Sequence, residues 1–384
     1  MPTMHWTEHD LPHGVRWHSE SAAPIPRRVV VADERMRADT AYRLVCEGTG
    51  LLWRGDFHQA RQMIQALRRR IDRTAPRPGG APAESFHHYR RFRSHRARVL
   101  GRLVIELGAD YSIALRRAPD VRQACTETYG PPRESMMIAF TELLGAIGAQ
   151  QWRANGVEVA ALGARIHPHY GVFSPVRGEY VDLVARAPLP VRARTAFDLG
   201  TGTGVLAAVL ARRGIERVVA TDINPRALVC ARDNIDRLDL GDRVEVTGPD
   251  LYPPGVADII VCNPPWLPAR PSAALEQGVY DPGSVMLRGF LHGLSAHLVS
   301  GGEGWLILSD LAERLGLRAS AEVAGLIETA GLRVVDRIDT RARHPRTRDT
   351  ADPLHAARAA EVTSLWRLAG GRPCREIRPN APHE

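Results

Sequence analysis

Lysine is absent from the 384-residue chain, so all 51 of its Lys and Arg positions are Arg. Complete replacement of one cation by the other reads as a compositional bias, and single arginines therefore carry little information. Cysteine is scarce. Cys46, Cys125, Cys230, Cys262 and Cys374 are scattered with no Cys-x-x-Cys pair, which argues against a disulfide framework or a zinc ribbon and for reduced thiols. No apolar run approaches the roughly 20 residues that a membrane span requires. The first residues, Met-Pro-Thr-Met-His-Trp, lack a basic start followed by an apolar stretch, so no secretory signal is expected and a cytoplasmic location is. Aromatics make up only 6%, yet 44% of residues are hydrophobic against 24% charged. That balance suits a globular protein with a sizeable core and excludes disorder of the whole chain; the length suits about two domains.

The formal charge of +8 is unevenly placed. Residues 1–165 hold 25 Arg against 17 acidic residues, whereas 166–384 hold 26 of each. The first 35 residues, rich in His, Pro and charge, read as an irregular arm. From Thr40 to Ile71 apolar residues recur at helical spacing, with Phe57, Met63, Ile64 and Leu67 near one face. Pro and Gly cluster at Ala75–Ala83 and break the pattern. Further helical stretches run over Ser85–Leu107 and Ser135–Gln150. Residues 1–155 are thus expected to form a mainly helical N-terminal domain, with a substrate-recognition role inferred from its excess charge. Residues 156–172 alternate apolar and polar, which predicts a short hairpin linker.

Residues 173–384 alternate strands with helices. The candidate strands are Thr195–Leu199, Arg217–Asp222, Arg243–Thr247, Asp258–Cys262, Gly304–Ser309, Leu332–Asp339 and Val362–Leu368. Helices are expected between the first five, and such alternation of apolar strands with helices implies a parallel sheet covered on both faces. The last two strands lack a clear intervening helix and are expected to pair antiparallel at the sheet edge.

Three motifs fall at strand ends. In Phe197-Asp198-Leu199-Gly200-Thr201-Gly202-Thr203-Gly204-Val205 a strand enters three alternating glycines and then a helix. Such a loop lets the backbone approach a ligand beside the positive end of the helix dipole. The dinucleotide fingerprint has its third glycine three residues after the second. Here position 205 is Val, which counts against NAD or FAD. A strand-to-helix turn without ligand is the ordinary alternative. At the end of the next strand, Asp222 offers a carboxylate that can accept hydrogen bonds from two ribose hydroxyls; helix capping is its ordinary alternative. The fourth strand ends in Cys262-Asn263-Pro264-Pro265-Trp266. Two prolines end a strand and leave free carbonyls on a rigid backbone. The Asn263 amide oxygen with such a carbonyl suits a substrate NH2 group, and Trp266 offers a flat surface to a planar acceptor.

Over about Gly171–Leu368 the chain resembles the class I S-adenosylmethionine-dependent methyltransferases, a Rossmann-like α/β fold with a seven-stranded, mostly parallel sheet. Within them it resembles the Asn-Pro-Pro-aromatic group that methylates nitrogen. That resemblance implies that Gly200, Thr201, Gly202 and Gly204 line the methionine end of S-adenosyl-L-methionine, that Asp198 orients its amino group, that Asp222 holds the ribose and that Asp250 sits by the adenine. Asn263 with Pro264, and with Pro265 and Trp266 completing the motif, would hold the acceptor nitrogen. The chain looks most like the release-factor glutamine N5-methyltransferases. Ser174-Pro175-Val176-Arg177-Gly178-Glu179, Val279-Tyr280-Asp281-Pro282 and Gly301-Gly302 carry that likeness, while Trp266 replaces the usual Tyr. The ribosomal-RNA guanine N2-methyltransferases share the same core. The expected partner is accordingly a macromolecular methyl acceptor, a release factor or ribosomal RNA, with adenine N6 a further possible acceptor. A cofactor-binding protein without catalysis is the alternative from another class.

Three weaker features remain. His87–Arg98 mixes cations with aromatics as RNA-binding surfaces do, but its arginines are expected to point several ways around a helix, which favours a solvated face. His167 and His169 alternate without a third ligand, so no metal site is expected. Cys262 is expected to pack in the core.

Overall fold

The computed structural model describes residues 2–76, 79–271 and 274–371; Cys374 lies outside them. The N-terminal part comprises β1 (Thr3–Glu8), β2 (Leu11–Trp17), β3 (Arg28–Ala32), α1 (Ala38–Cys46), β4 (Thr49–Trp53), α2 (Phe57–Asp72), α3 (Pro82–Leu100), β5 (Leu103–Leu107), α4 (Arg122–Tyr129), β6 (Met136–Ala139) and α5 (Phe140–Asn155). Its strands form one sheet in the order β1-β2-β6-β5-β4-β3.

This corrects the expectation of a mainly helical domain behind an irregular arm. The arm is the β1–β2 hairpin followed by β3. In β1 the side chains alternate, Met4 and Trp6 being buried while Thr3, His5 and Thr7 are exposed. The three long helical readings each hide a strand. In Leu51-Leu52-Trp53, Leu103-Val104-Ile105 and Met136-Met137-Ile138 alternate residues enter two cores on opposite faces of the sheet. A strand buried on both faces has no polar side, so its short apolar run cannot be told from a helix segment by periodicity. The helices themselves follow their signals. Asp56 caps α2 by accepting from the His58 and Gln59 amides at 2.9 and 3.2 Å, and Phe57, Ala60, Ile64, Leu67 and Ile71 form its buried stripe.

The linker hairpin is formed by β7 (Val157–Val159) and β8 (Ala164–Ile166), paired antiparallel. Then follow α6 (Glu179–Arg186), β9 (Thr195–Leu199), α7 (Val205–Arg212), β10 (Arg217–Thr221), α8 (Pro225–Arg237), β11 (Val244–Thr247), β12 (Ala257–Cys262), α9 (Val285–His297), β13 (Leu298–Ser309), α10 (Leu311–Arg314), α11 (Glu322–Thr329), β14 (Leu332–Arg341), α12 (His355–Ala359) and β15 (Val362–Gly370). The seven strands run β11-β10-β9-β12-β13-β15-β14. The first five are parallel, and β15 is antiparallel to both neighbours, with β14 at the edge. One expectation fails: no helix joins β11 to β12, because the connection carries Gly248, Pro249, Pro253, Pro254 and Gly255. Helices α6 and α7 with the linker hairpin cover one face of the sheet, and α9 with α11 covers the other.

The two halves are tied at two places. Arg226 of α8 pairs with Glu20 at 2.6 Å and donates to the Thr128 carbonyl, and Arg153 of α5 pairs with Asp233 of α8 at 2.8 Å. On another side Phe86 of α3, 1% exposed, packs with Leu267, Leu311, Leu315 and Leu354. No helix among the described residues is long and apolar enough to cross a membrane.

Candidate active site

Strand register brings the three motifs together. Leu199 of β9 lies beside Thr221 of β10 and beside Cys262 of β12. The next residue of each strand, Gly200, Asp222 and Asn263, therefore leaves the carboxyl edge of the sheet at one level. The strand order reverses between β9 and β12, the place where an open α/β sheet forms its ligand crevice. A cleft of about 620 Å³ opens there. Its walls include Gly200, Thr201, Gly202, Asp222, Asp250, Asn263 and Pro265.

Asp222 is fixed by the backbone around it. It accepts from the Gly202 amide at 3.0 Å and the Asn224 amide at 2.8 Å. Burial pushes its carboxyl above the usual range, against the pull of those two amides. Two carboxylate oxygens offer about four acceptor positions, so two remain for hydroxyls in the cleft. Thr221 binds the Leu251 carbonyl at 2.7 Å and so anchors the segment that carries the exposed Asp250. The cleft thus has acceptors for a ribose, a glycine loop at a helix start, and a donor or acceptor amide at Asn263. These residues fit a nucleoside-bearing cofactor.

Asp198 and Gly204 do not line the cleft. Asp198 is 1% exposed and accepts from the Thr201 hydroxyl at 2.6 Å and the Ala207 amide at 3.0 Å. It holds the glycine loop onto the first turn of α7, and burial, with Asp222 nearby, pushes its carboxyl up to about 6. Gly204 begins α7 with φ +81, and a Cβ there would meet Ala231 at 3.3 Å; only glycine gives both the turn and the close packing of α7 on α8. Gly202, at φ +56, has open space around it, so its requirement is conformational.

Pro264 and Trp266 also stand back from the cleft. The indole Nε1 of Trp266 donates to Asn263 Oδ1 at 2.9 Å, because a half-buried indole N–H needs an acceptor. The Arg177 guanidinium lies over the Trp266 ring at 4.7 Å. Arg177 in turn pairs with Glu179 and Glu361, both at 2.9 Å. Glu361 is 1% exposed and also accepts from the Ser309 hydroxyl at 2.6 Å. Burial disfavours its charge, yet His344 and Arg177 keep the carboxyl below the usual range. Instead of an open platform, Trp266 is the middle of a chain that sets the orientation of the Asn263 amide.

Sequence reasoning missed Phe173, Tyr180 and Met286, which also line the cleft. Met286 covers the loop so closely that a Cβ on Gly200 would meet its Cε at 2.3 Å. Asp281 accepts from the Met286 and Leu287 amides, which starts α9 at the cleft wall. No periodic signal marks such residues, since they come from loops and helix starts. His167 and His169 lie just beyond β8. The His167 ring binds the Arg153 carbonyl at 2.6 Å and the His169 ring lies 2.9 Å from the Asp233 carboxylate, so both belong to the junction between the halves. Cys262 is fully buried among Phe197, Leu199 and Leu306. Cys46, Cys125, Cys230 and Cys262 carry free thiols.

Residues 163–313 match the family model of the Methyltransferase small domain. The chain is 36% identical over 152 residues to the release factor glutamine methyltransferase of Cereibacter sphaeroides, a match covering 36% of this chain and 52% of that protein. It is 32% identical over 128 residues to the ribosomal protein L11 methyltransferase of Tolumonas auensis, covering 33% and 44%. The chain therefore spans about half the length of these curated relatives. Among solved structures, a methyltransferase from Pyrococcus furiosus is 19% identical with a TM-score of 0.39, over 60% of this chain and 98% of that one. The strand order is that of the class I methyltransferase fold, and the family match over residues 163–313 falls within that sheet.

Proposed function

We propose that the protein is an N-methyltransferase that places the methyl group of S-adenosylmethionine on a planar NH2 group of a macromolecule. The observation that carries this reading is the common level at which Gly200, Asp222 and Asn263 leave β9, β10 and β12. A cofactor held by the glycine loop and Asp222 would have its methyl end beside Asn263. The cofactor supplies the methyl on an activated sulfonium; the chain supplies positioning and a site sheltered from water. Asn263 Oδ1 has one lone pair engaged by Trp266 and a second that faces the cleft for one N–H of the acceptor. With that N–H held, the nitrogen lone pair would face the methyl carbon; transfer would form the N–C bond as the sulfonium's S–C bond breaks, S-adenosylhomocysteine would be the leaving group, and the other N–H proton would pass to water at the mouth of the cleft. Asp198, Gly204 and Trp266 act beneath the cleft as supports, and Asp250 faces the adenine end.

A side-chain amide of a protein of the translation apparatus is the favoured acceptor, because the relatives named above act on a release factor and on ribosomal protein L11. An RNA base amine is a second reading, favoured by the basic groove that α3 forms beside the cleft. Incubation of the protein with methyl-labelled cofactor and fractionated extract tests both: label in protein or RNA supports the proposal, and well-folded protein that transfers no label to any macromolecule contradicts it.

A further inference from the structure

The stretch His87–Arg98 lies on α3; Arg93 and Arg96 turn to other faces, Arg96 pairing with Asp72 at 2.9 Å, while the remaining groups include a set that shares one face. His87, Arg91, Ser94, His95 and Arg98 recur at i, i+4, i+7, i+8 and i+11, which is one stripe of an α-helix. They line one groove of about 710 Å³ between α3 and residues 268–270, together with Arg90 and Arg270; no carboxylate is among its described lining residues, and Glu276 lies next to it, 3.9 Å from Arg90. The stripe spans about 16 Å along the helix.

Two observations separate this groove from an ordinary solvated face. Among the described residues, arginines without a carboxylate partner also occur singly elsewhere, such as Arg333, and others such as Arg54, Arg177 and Arg367 are paired; here several unpaired ones converge on one groove. In the groove the exposed Arg91 and Arg270 side chains have no ion-pair or hydrogen-bond partner among the described residues, and Arg98 rests only on His95 Nδ1 at 3.1 Å. The groove is also built into the wall of the cleft. Arg90 donates to the Arg270 carbonyl at 2.5 Å and lies over the Tyr280 ring at 3.9 Å, and Tyr280 and Pro271 line the cleft.

We infer that this groove docks the phosphate backbone of single-stranded RNA and so presents a base to the cleft. Guanidinium forks match phosphate oxygens in pairs. A row of cations in which Arg90 alone has a carboxylate partner among the described residues fits an evenly charged polyanion. A protein partner would call for apolar anchors at the centre of its contact, and here the one large apolar wall, Phe86, is already buried. Single-stranded RNA also carries unstacked bases with exocyclic NH2 groups, whereas a DNA duplex keeps them in the stack. The inference rests on the macromolecular-acceptor reading and extends its RNA branch, but binding is measured without methyl transfer, so the two fail separately.

The test uses the full chain and fluorescence anisotropy with a labelled single-stranded RNA of about 20 nucleotides. The triple variant Arg91→Gln, Arg98→Gln, Arg270→Gln is compared with a control triple at exposed arginines away from the groove, Arg186→Gln, Arg217→Gln, Arg333→Gln. Retained binding of S-adenosylhomocysteine reports that each variant is folded. The groove triple is expected to lose affinity by about tenfold or more at low salt. The slope of log K against log salt should also flatten by about 2, since each phosphate that is no longer neutralised removes roughly 0.7 from it. The control triple is expected to change affinity less than about twofold. Unchanged RNA binding by the folded groove triple overturns the inference. So does tighter binding of polyglutamate, or of DNA of the same sequence, by the wild-type protein.

Discussion

Asp222 offers the sharpest test of the cofactor cleft, because its carboxylate has two acceptor positions filled by the Gly202 and Asn224 amides and two facing the cleft. Asp222→Ala removes the charge and both outward acceptors. A hydrogen bond to a charged group contributes about 1.5–3 kcal/mol, and water entering the shortened site recovers part of the loss. The expected cost is about 2–3 kcal/mol, roughly a 30- to 150-fold rise in Kd. Asp222→Asn keeps the shape and one acceptor and is expected to lose about 1 kcal/mol. Calorimetry with S-adenosylhomocysteine measures binding without turnover. Because burial raises the Asp222 carboxyl, wild-type affinity should fall as pH drops through that raised value, and the Asn variant should show a flatter profile. If the folded Ala variant binds within twofold of wild type, the ribose role of Asp222 is wrong.

Trp266→Phe removes the indole N–H that holds Asn263 and leaves an aromatic ring under Arg177; about 1 kcal/mol of orientation should be lost, seen as a five- to tenfold slower transfer in a single turnover with cofactor affinity unchanged. Equal rates would show that the bond does not matter for transfer. Asp198 is protonated more readily in the folded chain, with its carboxyl at about 6 against the ordinary 3.8. A raised carboxyl pKa favours folding at low pH and loses that contribution as pH rises from about 4 to about 6, so Asp198→Asn should gain up to about 3 kcal/mol relative to wild type across that window. Denaturant melts of both proteins at several pH values check the sign, and a difference that stays constant with pH would refute it.

The catalytic half was legible because its central strands β9, β10 and β12 are short apolar runs that stop at Gly200, Asp222 and Asn263. Thr195–Leu199 is found with the predicted bounds, and the ends of β10 and β12 lie within a residue of those expected. Equal strand ends then put Gly200, Asp222 and Asn263 in one place. The N-terminal half was misread for an opposite reason. Its central strands are buried on both faces, so Leu51–Trp53 and Leu103–Leu107 continued the apolar pattern of adjacent helices. The first strand of the hairpin at its start alternates, but His and Pro obscured the hairpin's two Trp-bearing positions that fill the core. Roles were less legible than places. Asp198 and Gly204 sit in the right loop yet support it from below, and Trp266 faces Asn263 because of a side-chain hydrogen bond that no spacing rule reports. The basic stretch on α3 was read as a solvated face because its arginines point several ways around the helix, and the groove emerged only where residues 268–270 come alongside part of it.

The central claim is that Asn263 presents a planar NH2 nitrogen to the methyl group. Its most direct measurement is the position of the label in the product: the methylated macromolecule from the labelled-cofactor reaction is digested and its modified unit identified by mass spectrometry, with wild type beside Asn263→Ala. The account predicts N-methylation at a former NH2 group, reduced in the variant by two or more orders of magnitude, on the order of 3 kcal/mol in the barrier, while S-adenosylhomocysteine still binds. Methyl on oxygen, carbon or sulfur, or an Asn263→Ala variant as fast as wild type, would contradict it.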